Sequence, residues 1–401
     1  MPLPRGTQMM GTTEIVLTDV ARGIHRADGN IDLPAVSGLP SGLRVDGRTL
    51  RGGRSEGVQV VELALGSLRV AVIPTRGMAI WKAWRDGIEF GWQSPVAGPV
   101  HPAFVPLAEP SGFGWLDGFD ELLCRCGLES NGAPEWDERG RLRWPLHGRI
   151  GNAPAHRVVV ALDLAPASVA VTGTVDEARL FGAKLRLNST TRIRADRPVI
   201  EVTDRVENRS GEPATIELLY HVNLGAPVAT AGARVHLPVR ELAPRDARAA
   251  TRFGEWAQVG AAEAGRPEEV FFAELQGDAA GRTHALIAAA DEALGASLRW
   301  PLAQLPRFTL WKNPQLAADG CVTGLEPATN HPNARSFEER AGRLVTLAPG
   351  AAREFTLELE LHTDGAAVAQ ARAAIAAIQA QAAPRFHPQP VAHLSPEGGA
   401  R

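Results

Sequence analysis

Short apolar runs, each closed off by glycine or proline, fill the middle of this chain and argue against a helical core there. Val58–Leu65 and Leu68–Ile73 flank Gly66-Ser67 and read as a hairpin. Ile80–Trp84 and Ile88–Trp92 repeat the pattern around Arg85-Asp86-Gly87. Further strands are expected at Arg157–Leu164, Ser168–Val175, Ala183–Ile193, Val199–Asn208, Ala214–Asn223, His284–Ala289, Phe308–Trp311 and Glu354–His362. In Val199–Asn208 one face takes Ile200, Val202, Asp204 and Val206, and the other takes Glu201, Thr203 and Arg205. Many hairpins in series predict an all-β fold of large antiparallel sheets stacked as a sandwich rather than closed into a barrel.

Near the end the period changes. Val368, Ala371, Ile375 and Ile378 recur at helical spacing within Gly365–Ala382, which predicts a C-terminal helix. The organisation expected is therefore an N-terminal arm with peripheral strands over residues 1–54, one β-sandwich over 55–362, and a C-terminal helix with a loose tail over 363–401.

Charge and motif content narrow the function. The formal net charge is -3 over 401 residues and no block of like charge stands out, so neither nucleic acid nor a membrane surface is an expected partner. No apolar stretch is long enough to span a bilayer, and the first residues lack a signal-peptide apolar region. Three cysteines, Cys124, Cys126 and Cys321, suit a reducing compartment, and a cytoplasmic location is expected. Cys124 and Cys126 share one face of a strand and form no zinc motif, so inert thiols are expected. No glycine-rich phosphate loop follows a strand and no nucleophile elbow is present, so no cofactor is expected.

Three separated segments carry groups fit for proton transfer or hydroxyl binding. His147 and Arg149 lie in a glycine-flanked loop that can approach a ligand closely. His221 and Asn223 share a face at the end of an apolar strand, with Tyr220 on the opposite face. Glu326 is embedded in Val322-Thr323-Gly324-Leu325-Glu326-Pro327, where partial burial raises a carboxyl toward a usable base. A core histidine, a turn histidine or a carboxylate paired with Arg335, Arg340 or Arg343 would be the plainer accounts of the same residues. Asp120 within Trp115–Glu121, and Trp311, add the carboxylate and aromatic types that sugar sites use. Arg76 follows a strand end and is a candidate for lining the cleft. Arg76, Arg125, Arg149 and Lys312 are the basic groups available for a phosphosugar.

Four of these segments carry a resemblance. Ile73-Pro74-Thr75-Arg76-Gly77-Met78, Phe119–Leu128, His147–Asn152 and Gly324–Asn330 are similar to the galactose mutarotase-like superfamily. They are closest to a bacterial group labelled "aldose 1-epimerase family" whose members are mostly uncharacterised. The resemblance covers roughly residues 58–362 and implies a large β-sandwich with a sugar cleft across one sheet. It implies that His147 holds sugar hydroxyls, that His221 is the general acid and that Glu326 is the general base. Arg149, Asn223, Arg76, Asp120 and Trp311 complete the expected substrate contacts. Tyr220 stands where those enzymes usually have asparagine, and the asparagine-rich motif expected before the early histidine is missing. Three activities fit this pattern: interconversion of sugar anomers, isomerisation of a keto-sugar with a metal at the His/Glu cluster, and carbohydrate binding without catalysis. The expected partner is a small sugar, and the chain is expected to be a monomer or homodimer.

Overall fold

The computed structural model of the chain describes residues 13–26, 29–31, 42–164 and 167–399. Parts of the expected arm, residues 1–12, 27–28 and 32–41, lie outside the described residues.

Strict alternation produces the first sheet. Lys184–Arg194 buries every second side chain, and Val199–Asn208 pairs with it antiparallel, Thr191 opposite Val202. These two strands sit centrally in a 10-stranded antiparallel sheet that also holds Arg157–Leu164, Ala167–Ala178, Gly295–Pro301 and Ala352–His362. A 14-stranded sheet packs across it. Its centre runs Glu269–Leu275, Arg307–Asn313, Val322–Ala328, Ala214–Leu224, Leu123–Leu128 and Ala79–Arg85. The apolar side chains between the sheets form one continuous core, in which Leu187, Val206, Leu218, Val222, Leu310 and Leu357 are buried. The protein is thus an all-β sandwich with a C-terminal helix.

One ion pair crosses that core. Arg125 of the larger sheet meets Asp204 of the smaller at 2.5 and 3.1 Å, both fully buried. Tyr220 donates to the same carboxylate at 2.9 Å. Two charges in an apolar interior are tolerable only when each satisfies the other, and here the triad does so across the two sheets.

Alternation fails in three adjacent strands of the larger sheet, and the failure marks the site. Leu123–Leu128 and Val322–Ala328 are buried at every position, and Ala214–Leu224 at every position but Thr215. Their outer face is therefore covered too, and it carries His221, Asn223 and Glu326.

The helix Gly365–Gln379 starts at Asp364, whose carboxylate accepts from Ala367 N at 2.8 Å. Val368, Ala371 and Ile375 pack on Leu286 and Ala288, as the spacing predicts. The tail beyond it is docked rather than loose. Arg385–Phe386 adds to the strand Val239–Pro244, His387 meets Glu241 at 2.7 Å, and Leu394 is buried with Ala243, Val270 and Phe272. Apolar burial at one late leucine, with strand pairing before it, outweighs the tail's proline and glycine content.

Candidate functional site

Sheet register assembles the central pair. Val222 pairs with Leu325 and Asn223 with Gly324, which places His221 opposite Glu326 on adjacent strands. Thr309 lies directly opposite Glu326 on the next strand, and Cys124 directly opposite His221. Opposed residues of an antiparallel pair share a face, so these side chains form a row across the sheet.

His221 Nε2 stands 3.2 Å from Glu326 Oε1, yet the two are not aligned as a hydrogen bond. On its other side His221 Nδ1 lies 2.6 Å from Asn223 Oδ1. Asn223 Nδ2 is committed to the Glu121 and His221 carbonyls, so its oxygen faces the ring and Nδ1 carries the proton. Nε2 of the neutral ring is then the nitrogen that faces Glu326. Burial pushes the Glu326 carboxyl far above the carboxylate range, the Glu268 charge adds to this, and Arg245 opposes it. Burial and then His147 push His221 far below the ordinary histidine range. Both directions favour a pair that holds a single proton and no net charge.

His147 reaches the pair from a tight loop. Its φ is 57° and that of Gly148 is 73°, and a Cβ on Gly148 would run into the Ser130 and Gly127 carbonyls. Nδ1 of His147 is bound to the Asn131 carbonyl at 2.8 Å, which leaves Nε2 as the free acceptor. Burial lowers its pKa to about 4. The His147 and His221 rings are perpendicular, 5.3 Å between centroids.

An aromatic wall closes around these groups. Trp115 packs on His147 at 4.6 Å, Phe119 on His221 at 5.1 Å, and Trp311 on His221 at 5.3 Å. Indole faces beside hydrogen-bonding groups are what an amphipathic sugar ring requires. Gly324 makes room beneath them, since a Cβ there would stand 2.5 Å from Glu326 Oε1.

Three neighbours of the pair have no counterpart in the sequence reading. Glu268 accepts from Trp311 Nε1 at 2.7 Å and is held by Arg245 at 2.8 Å. Both lie in charge-rich connections whose composition suggests only solvent exposure. Thr309 is the third, buried with an Oγ1 that makes no protein hydrogen bond, on a strand whose aromatic neighbour drew the attention.

Other expected contacts are placed elsewhere. Arg76 is buried, and its guanidinium is used up by Glu121 at 2.5 Å, Asn152 Oδ1 at 2.7 Å and the Gly118 and Val100 carbonyls. It braces the loop that carries Phe119 rather than facing a ligand. Asp120 bonds Trp81 Nε1 at 2.8 Å and lines a different cavity, because extended backbone at Phe119 sends successive side chains to opposite sides. Arg149 is half-buried, and its charge acts on the buried Glu177 carboxyl. Lys312 points away from Trp311 and pairs with Glu269 at 2.8 Å. The four basic residues considered for a phosphosugar therefore do not converge, and Arg76, Arg125 and Lys312 are each neutralised by a buried carboxylate. Cys124 and Cys126 are buried free thiols, and burial raises both. Among the described residues no group of three or more His, Cys, Asp or Glu is arranged to hold a metal ion, and no helix is long and apolar enough to cross a membrane.

A family model described as a domain of unknown function (DUF4432) matches residues 55–361. A crystal structure from Klebsiella pneumoniae, provisionally named an aldose 1-epimerase, is 30% identical with a TM-score of 0.91, covering 95% of this chain and 99% of that one. A galactose mutarotase-like protein from Clostridium acetobutylicum is 16% identical with a TM-score of 0.54, covering 80% and 99%. A galactose 1-epimerase from Lactobacillus acidophilus is 11% identical with a TM-score of 0.52, again covering 80% and 99%. These last two are likenesses of fold. No curated protein matches the chain.

Proposed function

The chain belongs to the DUF4432 family within the galactose mutarotase-like superfamily, and on that premise we propose that it interconverts the anomers of a free sugar by acid–base ring opening. The observation that carries this reading is the buried His221–Glu326 pair, 3.2 Å apart and unaligned, beneath an aromatic wall. Anomer exchange moves one proton off the anomeric hydroxyl and one onto the ring oxygen. A pair that already shares one proton can do both without changing its net charge.

Glu326 is assigned as base and His221 as acid. Sugar hydroxyls bonding to the carboxylate offset its desolvation, and the shared proton passes to His221 Nε2. Glu326 then takes the anomeric proton while Nε2 gives its proton to the ring oxygen, and the ring carbon–oxygen bond breaks to leave an open-chain carbonyl. Rotation of that carbonyl and re-addition of the hydroxyl to its other face reverse both transfers. Each partner is worth about 10²–10⁴-fold. On this reading Asn223 keeps the His221 tautomer, and His147 and Glu268 accept from ring hydroxyls.

Exchange NMR on a panel of free aldoses tests this directly, because it reads α/β interconversion without a coupled assay. Acceleration for a sugar that is lost in Glu326→Ala is the expected result. No acceleration for any sugar in the panel would refute the proposal.

A further inference from the structure

Asp120 leads to a second cavity of about 510 Å³, within the range of small-molecule sites. Trp81, Lys82, Glu89, Trp92 and Gln93 line it with Asp120. None of His147, His221, Glu326 or Trp311 does so. Phe119 forms the partition, its ring 4.9 Å from Trp92 on one side and 5.1 Å from His221 on the other.

Both indoles are fixed by their N–H groups. Trp81 donates to Asp120 Oδ2 at 2.8 Å and Trp92 to the Glu121 carbonyl at 3.1 Å. Pinned this way, neither offers a donor to a ligand, and the half-buried Trp81 presents ring surface where the buried Trp92 does not. Lys82 and Glu89 neutralise one another at 2.6 Å, so neither offers a free charge. Asp120 is only 9% exposed, and burial and the neighbouring Glu121 carboxylate raise it to about 7. A carboxyl in that state both donates and accepts at neutral pH.

We infer that this cavity is a second binding site, separate from the His221–Glu326 pair, for a neutral polyhydroxylated ligand of the sugar class. Trp81 supplies the stacking face, and Asp120 and Gln93 bind hydroxyls. A phosphorylated or otherwise anionic ligand is disfavoured, because Lys82, the cation in the lining, is already paired with Glu89.

Saturation-transfer NMR with methyl β-D-glucopyranoside and methyl β-D-galactopyranoside tests the inference. Neither can open its ring, so the readout does not depend on the proposed catalysis. The expected result is binding that persists in His221→Ala, weakens about tenfold when Trp81→Ala is added, and is not displaced by inorganic phosphate. Ala97→Trp, at an exposed position of the lining, fills the cavity without removing a hydrogen bond and is expected to weaken binding similarly. The inference is overturned if neither glycoside binds, if binding disappears in His221→Ala, or if a folded Ala97→Trp variant binds as well as its parent. Displacement by phosphate would overturn the ligand class.

Discussion

Gly324→Ala adds one methyl group at the point where the central pair has least room. Gly324 lies within the strand Val322–Ala328 and its backbone is open to any residue, so the effect is steric. The new Cβ would stand 2.5 Å from Glu326 Oε1, 3.2 Å from Trp311 and 3.3 Å from the His221 ring. Ordinary contact begins at 3.4 Å, so the carboxylate must retreat by about 0.9 Å or the strand must shift. A displacement of about 1 Å at a reacting group costs about 10²-fold in rate. Overpacking of this kind costs about 1–3 kcal/mol of stability, which a sandwich of this size survives. The assay is exchange NMR on the accepted aldose beside a thermal melt, with Gly211→Ala, where a Cβ meets nothing within 4 Å, as the control. A folded Gly324→Ala protein with wild-type exchange would refute the argument that Glu326 reacts from its observed position.

His221→Ala and Glu326→Ala are each expected to lower exchange by at least about a hundredfold with the melt unchanged, and full activity in either variant would remove that residue from the mechanism. Asn223→Leu is expected to lower the rate more than the sugar affinity, since it frees the His221 tautomer; an unchanged rate would show that Asn223 does not set it. Asp204→Ala leaves Arg125 buried without a counter-charge and is expected to cost about 3–5 kcal/mol in denaturant unfolding, with a loss near zero contradicting the role given to the inter-sheet pair. Burial raises Glu217 to about 8, against which the Arg335 charge and the Asn131 N–H act. A raised folded pKa means stability that is full below the ordinary value of 4.5 and lost as pH climbs to about 8. Glu217→Gln is therefore expected to flatten the fall in stability across that window, and an unchanged pH dependence would refute the assignment.

Much of the architecture is legible in local pattern. Period-two alternation in Val199–Asn208 and the helical stripe from Val368 to Ile378 each report which face of an element is buried, and both agree with the structure. Tyr220 and His221 were separable on the same ground, one turning to Asp204 in the core and the other to the site. The tail departs from its composition, because proline and glycine content reports loop chemistry and not whether a single leucine finds an apolar pocket.

The candidate site was legible residue by residue but not as a set. His147, His221, Asn223 and Trp311 converge with Glu326, whereas Arg76 turns into a buried ion pair and Asp120 into another cavity. Glu268 and Arg245 join from connections that looked like solvent-facing chain. The sequence by itself determined which residues lie on strands and on which side of each strand, since side-chain direction follows from backbone pleat over a few residues. The tertiary structure alone decided that Glu326 lies beside His221 and Arg76 beside Glu121. Those neighbours depend on which strands pair and in what register, a balance of burial over the whole sandwich that no single segment encodes.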